Sequence, residues 1–225
     1  MNVVSLFAGV GGIDYAFKKA GFDIIFANDV DINSLKTYKL NFDNEVSDED
    51  IRNIKYFPKA DVLCGSFPHE PFSLGGKALG FKDPRYGDLF FEMMRAVDIV
   101  KPRAIFMESV RNLPKFKKGE VFEKMLKELE SRGYDSKYEV LNAKDYGVLQ
   151  NRSRFYLVAF KNHDEYDRFI FPNGFKTNKN FKNSLYLHKD FDDKYYYDES
   201  FKHFDKLKKG MTDKDAIYQW RRSYI

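Results

Sequence analysis

Three groups of residues have types and spacings that can do chemistry. The first is the turn Phe7-Ala8-Gly9-Val10-Gly11-Gly12, between an apolar run and a helical pattern. Glycines let the backbone turn tightly and come close to a ligand; such a turn serves either as a plain connection or as a nucleotide loop. No Gly-Lys-Ser/Thr follows, so it is not a phosphate-cradling P-loop. The second group is a pair of acids. Asp29 ends the next apolar run, where a carboxylate can accept from both ribose hydroxyls, and Asp50, expected to close a third strand, can accept from an adenine amine. A ligand with ribose and adenine follows, and NAD and S-adenosylmethionine both remain open at this point. The third group holds the reactive types: His69 and Glu70 in Phe67-Pro68-His69-Glu70-Pro71-Phe72-Ser73, then Glu108 at the end of an apolar run. His69, His163, His188 and His203 have no metal-ligand spacing with Cys64, so no metal site is implied.

These residues need a scaffold that brings distant segments together, and the apolar patterning describes one. Val3 to Phe7, Asp23 to Ala27, Asp61 to Cys64 and Ala104 to Met107 read as buried strands, with Tyr138 to Leu141 and Phe155 to Phe160 as two late ones. Ile13 to Ala20, a stretch ending near Leu40, Asp88 to Val100 and Glu120 to Ser131 read as helices; in the last, Phe122, Met125, Leu126 and Leu129 share a face and Gly133 follows. Strands alternating with helices of this length predict an α/β fold with a doubly wound, mainly parallel sheet, Rossmann-like in class. Ligands of such sheets sit beyond the carboxyl ends of the strands, where Gly9 to Gly12, Asp29, Gly65 to Ser73 and Glu108 all fall. The character changes near Pro172, so a ligand-binding domain over 1–170 and a linker with the start of a recognition region over 171–225 are expected.

Composition narrows the setting. The chain has 225 residues and is 43% hydrophobic, enough for one domain with a core and an appendage. No stretch reaches the roughly 18 apolar residues of a membrane helix, and the amino terminus lacks the basic start of a signal peptide. One cysteine excludes an internal disulfide and suits a reducing cytoplasm. The net charge of +4 permits nucleic-acid binding without demanding it.

The segments FAGVGG, NDVD, LCGSFPHEPFS, DPRYGDLFFE, MESV and QNRSR occur in that order. Together they resemble the DNA cytosine-5 methyltransferase family, whose motifs run FxGxGG, an acid after the second strand, GFPCQxFS, an arginine-glycine segment, ENV and QxRxR. The likeness covers Val3 to about Phe160. It implies S-adenosylmethionine as cofactor, with S-adenosylhomocysteine as product, and double-stranded DNA as partner. It also implies a cofactor site of Phe7, Ala8, Gly9, Gly11, Gly12, Asp29, Val30, Asp50, Ile51, Pro68 and Leu89. Phe7 would stack on adenine, Asp29 take the ribose, and Asp50 with Ile51 take the adenine. Glu108 maps to the catalytic glutamate, and Arg152 and Arg154 to the family's arginines. The target base must leave the helix to reach them.

Two departures qualify the resemblance. His69 and Glu70 stand where the family has cysteine and glutamine. The family's thiolate adds to carbon-6 of cytosine, and imidazole is a poor substitute for it. Cys64 precedes the position by five residues, up to roughly 16 Å of extended chain, and is expected within a strand. Two carboxylates near His69 are expected to favour its protonation. Ser109 stands where asparagine is usual, and Tyr86 separates Arg85 from Gly87. The second departure is length: the recognition and closing segments are expected to be missing after a basic, aromatic ending from Tyr218 to Ile225. The reading is therefore an impaired cytosine-5 methyltransferase. A non-catalytic subunit completed by a second chain and an RNA methyltransferase relative stay open beside it.

Overall fold

The computed structural model describes residues 1–72, 79–175, 192 and 198–210. It divides into two compact units, Met1–Lys179 and Asn180–Ile225. Ser73 and the ending from Tyr218 to Ile225 lie outside the described residues.

The first unit is built on strands β1 (Asn2–Leu6), β2 (Asp23–Asn28), β3 (Val46–Ser47), β4 (Val62–Gly65), β5 (Ala104–Val110), β6 (Asp135–Asn142) and β7 (Ser153–Phe160). They form one sheet in the order β3-β2-β1-β4-β5-β7-β6. The first five strands in that order form four parallel pairs, and β7 pairs antiparallel with both β5 and β6. Parallel strands need crossovers, which α1 (Gly12–Lys19), α2 (Ile32–Lys39) and α3 (Leu89–Val100) help supply, with α4 (Glu120–Ser131) before β6.

Side chains alternate across a strand, and the two faces are covered unequally. On one face Val4, Leu6, Leu63, Ile105, Met107, Phe155 and Leu157 pack against α3 and α4 through Met93, Val97, Phe122 and Met125. On the other, Val3, Ile24, Val62 and Cys64 pack against Ile13 and Phe17 of α1, and Ala27 packs against Leu35 and Tyr38 of α2. On this face Phe106, Tyr156, Val158 and Phe160 of β5 and β7 line an apolar cavity of ≈ 420 Å³ together with Phe17, Phe22, Phe169, Phe171 and Pro172.

The expected elements are present, with shifted limits. The third strand is only Val46–Ser47, so Asp50 follows it in a turn rather than closing it. The strand expected over Tyr138 to Leu141 runs Asp135–Asn142 because all eight residues pair with β7. Helix α5 (His163–Arg168) went unread, although its cap is visible: Asn162 Oδ1 accepts from the backbone N–H of Asp164 at 2.8 Å. In the second unit, α6 (Phe204–Gly210) follows a turn in which Asp198 accepts from the backbone N–H of Ser200 at 2.8 Å.

Candidate active site

The glycine turn leaves β1 with Phe7 and Gly9 in the left-handed region, at φ 55° and 56°. The Ala8 N–H donates to the Asn28 carbonyl at 3.0 Å. The Gly9 N–H donates to Asp29 Oδ2 at 2.8 Å, while Asp29 Oδ1 accepts from the Asp31 N–H at 2.8 Å. Asp29 therefore organises the loop, and each oxygen retains a further lone pair. Gly11, at φ 91°, has no alternative residue: an added Cβ would lie 2.4 Å from Cε2 of Phe42.

Beneath the loop is a buried polar group that sequence reasoning missed. Asp14 is fully buried. It accepts from Ser5 Oγ at 2.5 Å and from the Tyr38 hydroxyl at 2.6 Å, tying β1, α1 and α2 together. Burial raises its carboxyl above the usual range, and the two hydroxyls only partly oppose that shift.

Seven of the anticipated cofactor residues line one cleft of ≈ 180 Å³: Phe7, Asp29, Val30, Asp50, Ile51, Pro68 and Leu89. Asn28, Arg52, Ser66 and Tyr86 complete it and were not anticipated. Ala8 packs instead against the cluster around Leu35 and Tyr38, Gly11 backs onto Phe42, and Gly12 opens α1. The cleft suits a nucleoside: apolar and aromatic walls suit a base, and two carboxylates suit hydroxyl and amine donors. Arg52 crosses it. Its guanidinium donates to Asp50 Oδ2 at 2.8 Å, to both oxygens of Asp88 at 2.7 Å, and to the Arg85 carbonyl at 2.6 Å. That fork holds the Asp88 carboxyl below the usual range.

The reactive side adjoins the cleft. After β4 ends, Phe67 is fully buried and meets Phe72 and Phe90 edge-on, each at 5.7 Å, so the Pro68-His69 backbone has a fixed root. Glu108 projects from β5. Its Oε2 accepts from Ser66 Oγ at 2.6 Å, and its Oε1 lies 2.9 Å from Arg154 Nε, an ion pair without the alignment of a hydrogen bond. Arg152 is exposed, and its backbone N–H donates to Asn142 Oδ1 at 3.0 Å. Ser66 occupies the glycine of the family pattern GFPCQxFS, the one sequence signal that marked it.

His69 is half-buried, and its Nδ1 is buried without a partner. The expectation that nearby carboxylates favour imidazolium is corrected here. Burial dominates and lowers the ring's pKa; Arg154 and Arg152 act with it, against Glu108 and Glu70. Glu70 is exposed, and its carboxylate lies 3.6 Å from Arg85. Cys64 is buried in β4, its thiol pushed up by burial, which does not suit it to act as a nucleophile. Ser109 is fully buried, and its hydroxyl has no hydrogen-bond partner.

Comparison with known proteins bears on these residues. Residues 1–223 match the family described as C-5 cytosine-specific DNA methylase. The chain is 44% identical over 232 residues to the type II methyltransferase M.Bsp6I of a Bacillus strain, covering 100% of this chain and 73% of that protein. It is 36% identical over 187 residues to M.HhaI of Haemophilus parahaemolyticus, covering 82% of this chain and 57% of that one. Among solved structures, the methyltransferase EhMeth of Entamoeba histolytica superposes with a TM-score of 0.70 at 23% identity, over 94% of this chain and 66% of its own. Dnmt2 of S. pombe gives 0.70 at 22%, over 93% and 67%. At those identities the likeness speaks for the fold.

Proposed function

The chain belongs to the C-5 cytosine-specific DNA methylase family, and from that premise we propose that it binds S-adenosylmethionine and an extrahelical cytosine of double-stranded DNA, with methyl transfer impaired by His69. The observation carrying this reading is the junction at Ser66 and Pro68. Both line the cleft of Asp29 and Asp50, and the Ser66 hydroxyl reaches the carboxylate of Glu108.

Asp29 would hold the ribose hydroxyls, Asp50 and Ile51 the adenine, and Phe7, Pro68 and Leu89 the apolar surfaces. S-adenosylmethionine supplies an electrophilic methyl group. Glu108 faces the N3 edge of the base and handles its proton, Arg154 keeps that carboxylate oriented, and Arg152 reaches the base carbonyl or a phosphate. At neutral pH His69 is an uncharged imidazole that can accept a hydrogen bond or a proton. It lacks the soft thiolate needed for reversible addition at carbon-6. The site orients the base without activating it.

A second chain seated on the first unit is part of the proposal. The apolar cavity over β5 and β7 supports it, because a central strand of such a sheet is ordinarily covered on both faces. The setting on this reading is the cytoplasm, which a chain with one unpaired cysteine suits.

Calorimetric titration with S-adenosylmethionine and S-adenosylhomocysteine tests the cleft; absence of binding to both overturns the cofactor assignment. Duplex DNA carrying 5-fluorocytosine tests the rest. The native chain should give no covalent adduct, and a native adduct would refute the impaired reading. A complex enriched from the source cell should contain the second chain if the apolar face has a partner.

A further inference from the structure

Arg52 is more than a surface ion pair. Its fork engages Asp88 through two bonds and Asp50 through one, and a fourth bond goes to the Arg85 carbonyl. Asp88 stands at the N-cap of α3 yet makes no side-chain cap there. Its carboxylate is committed to Arg52, so the strap joins the Asp50 turn to the segment carrying Tyr86 and Leu89, which also line the cleft. Asp50 is chelated by the same residue: Oδ2 accepts from Nη1 at 2.8 Å and Oδ1 from the Arg52 backbone N–H at 3.0 Å. A carboxylate held at both oxygens cannot rotate freely, and each oxygen keeps one acceptor position.

We infer that Arg52 is a positioning residue that makes the cleft selective for an adenine amine by fixing the Asp50 carboxylate. This rests on the cofactor reading above. A fixed acceptor rewards a donor at carbon-6 of the purine. It penalises a carbonyl there, which would leave the acceptor facing another acceptor.

The test compares binding of S-adenosylhomocysteine with that of S-inosylhomocysteine, which carries a carbonyl in place of the amine. The native chain should prefer the adenosyl ligand by at least about tenfold, the range of one hydrogen-bond mismatch at a charged acceptor. Arg52→Ala should weaken the adenosyl ligand about tenfold, change the inosyl ligand by less than about threefold, and so nearly erase the preference. Arg52→Lys keeps the charge but not the fork; with a native-like melting curve showing that it folds, it should also lose most of the preference. Equal weakening of both ligands by Arg52→Ala would make the residue merely structural and overturn the inference. So would full preference in Arg52→Lys, or no preference in the native chain. A native chain that binds neither ligand overturns the cofactor reading as well, which separates the two failures.

Discussion

Glu108 Oε1 and Arg154 Nε lie 2.9 Å apart because β5 and β7 run antiparallel, with Glu108 opposite Tyr156 and Val110 opposite Arg154. The two are diagonal neighbours on one face, within reach of long side chains. Their side chains are 15% and 19% exposed, so each is the other's main substitute for water. Removing one partner should cost more than removing both. Arg154→Ala is expected to lower stability by about 1–3 kcal/mol, and the double variant with Glu108→Gln to recover part of that. Urea unfolding of the four proteins measures the coupling; strictly additive losses would mean that the pair is not coupled.

Gly11→Ala is expected to be severe. The position needs a left-handed backbone, and the new methyl would meet Phe42 at 2.4 Å and Tyr38 at 3.0 Å. Strain and overpacking together should cost about 2–4 kcal/mol. Because Phe42 stacks on Tyr38 at 4.4 Å, the shift would pass into α2, and S-adenosylhomocysteine binding should fall with stability. Native-like melting and binding in Gly11→Ala would contradict this packing.

Asp14 gives a pH dependence with a defined sign. Its carboxyl is raised in the folded chain by burial, so folding favours the protonated form. That contribution is fully present below the unfolded value of 3.8 and is lost as pH rises through the folded pKa. Asp14→Asn removes the titration, so the stability profile above pH ~4 should flatten relative to the native chain. Denaturation across pH measures the difference, and parallel profiles would show that Asp14 does not titrate with folding.

Which features were readable follows from their physics. Glu120–Ser131 was visible because Phe122, Met125 and Leu129 repeat at helical spacing and are all buried. The limits of β6 were not, since Asp135, Tyr138, Glu139 and Val140 are all exposed and apolar alternation barely registers at an edge. Asp29, Asp50 and Pro68 could be placed because each follows a strand. Arg52 could not: its meaning depends on Asp88, distant in sequence and joined only by folding. Asp14 reads as an ordinary helix acid until Ser5 and Tyr38 enclose it.

His69 offers the sharpest check on the electrostatics of the site. Its ring should titrate below its ordinary value of 6.5, because burial outweighs the carboxylates around it. A depressed histidine contributes stability above its unfolded pKa and loses it as pH falls through the folded one, so the native chain should weaken in acid through this residue while His69→Asn does not. The neighbours fix the direction of two further shifts. Glu108 raises the ring's pKa, so Glu108→Gln should lower the midpoint further, whereas Arg154 lowers it, so Arg154→Ala should move it up. Ring-proton chemical shifts followed across pH give all three midpoints. A native midpoint at or above 6.5 would mean that imidazolium is stable in the pocket. His69→Cys tests the same pocket from the chemical side: with a thiolate in place, an adduct with 5-fluorocytosine DNA should form under conditions in which the native chain is expected to give none.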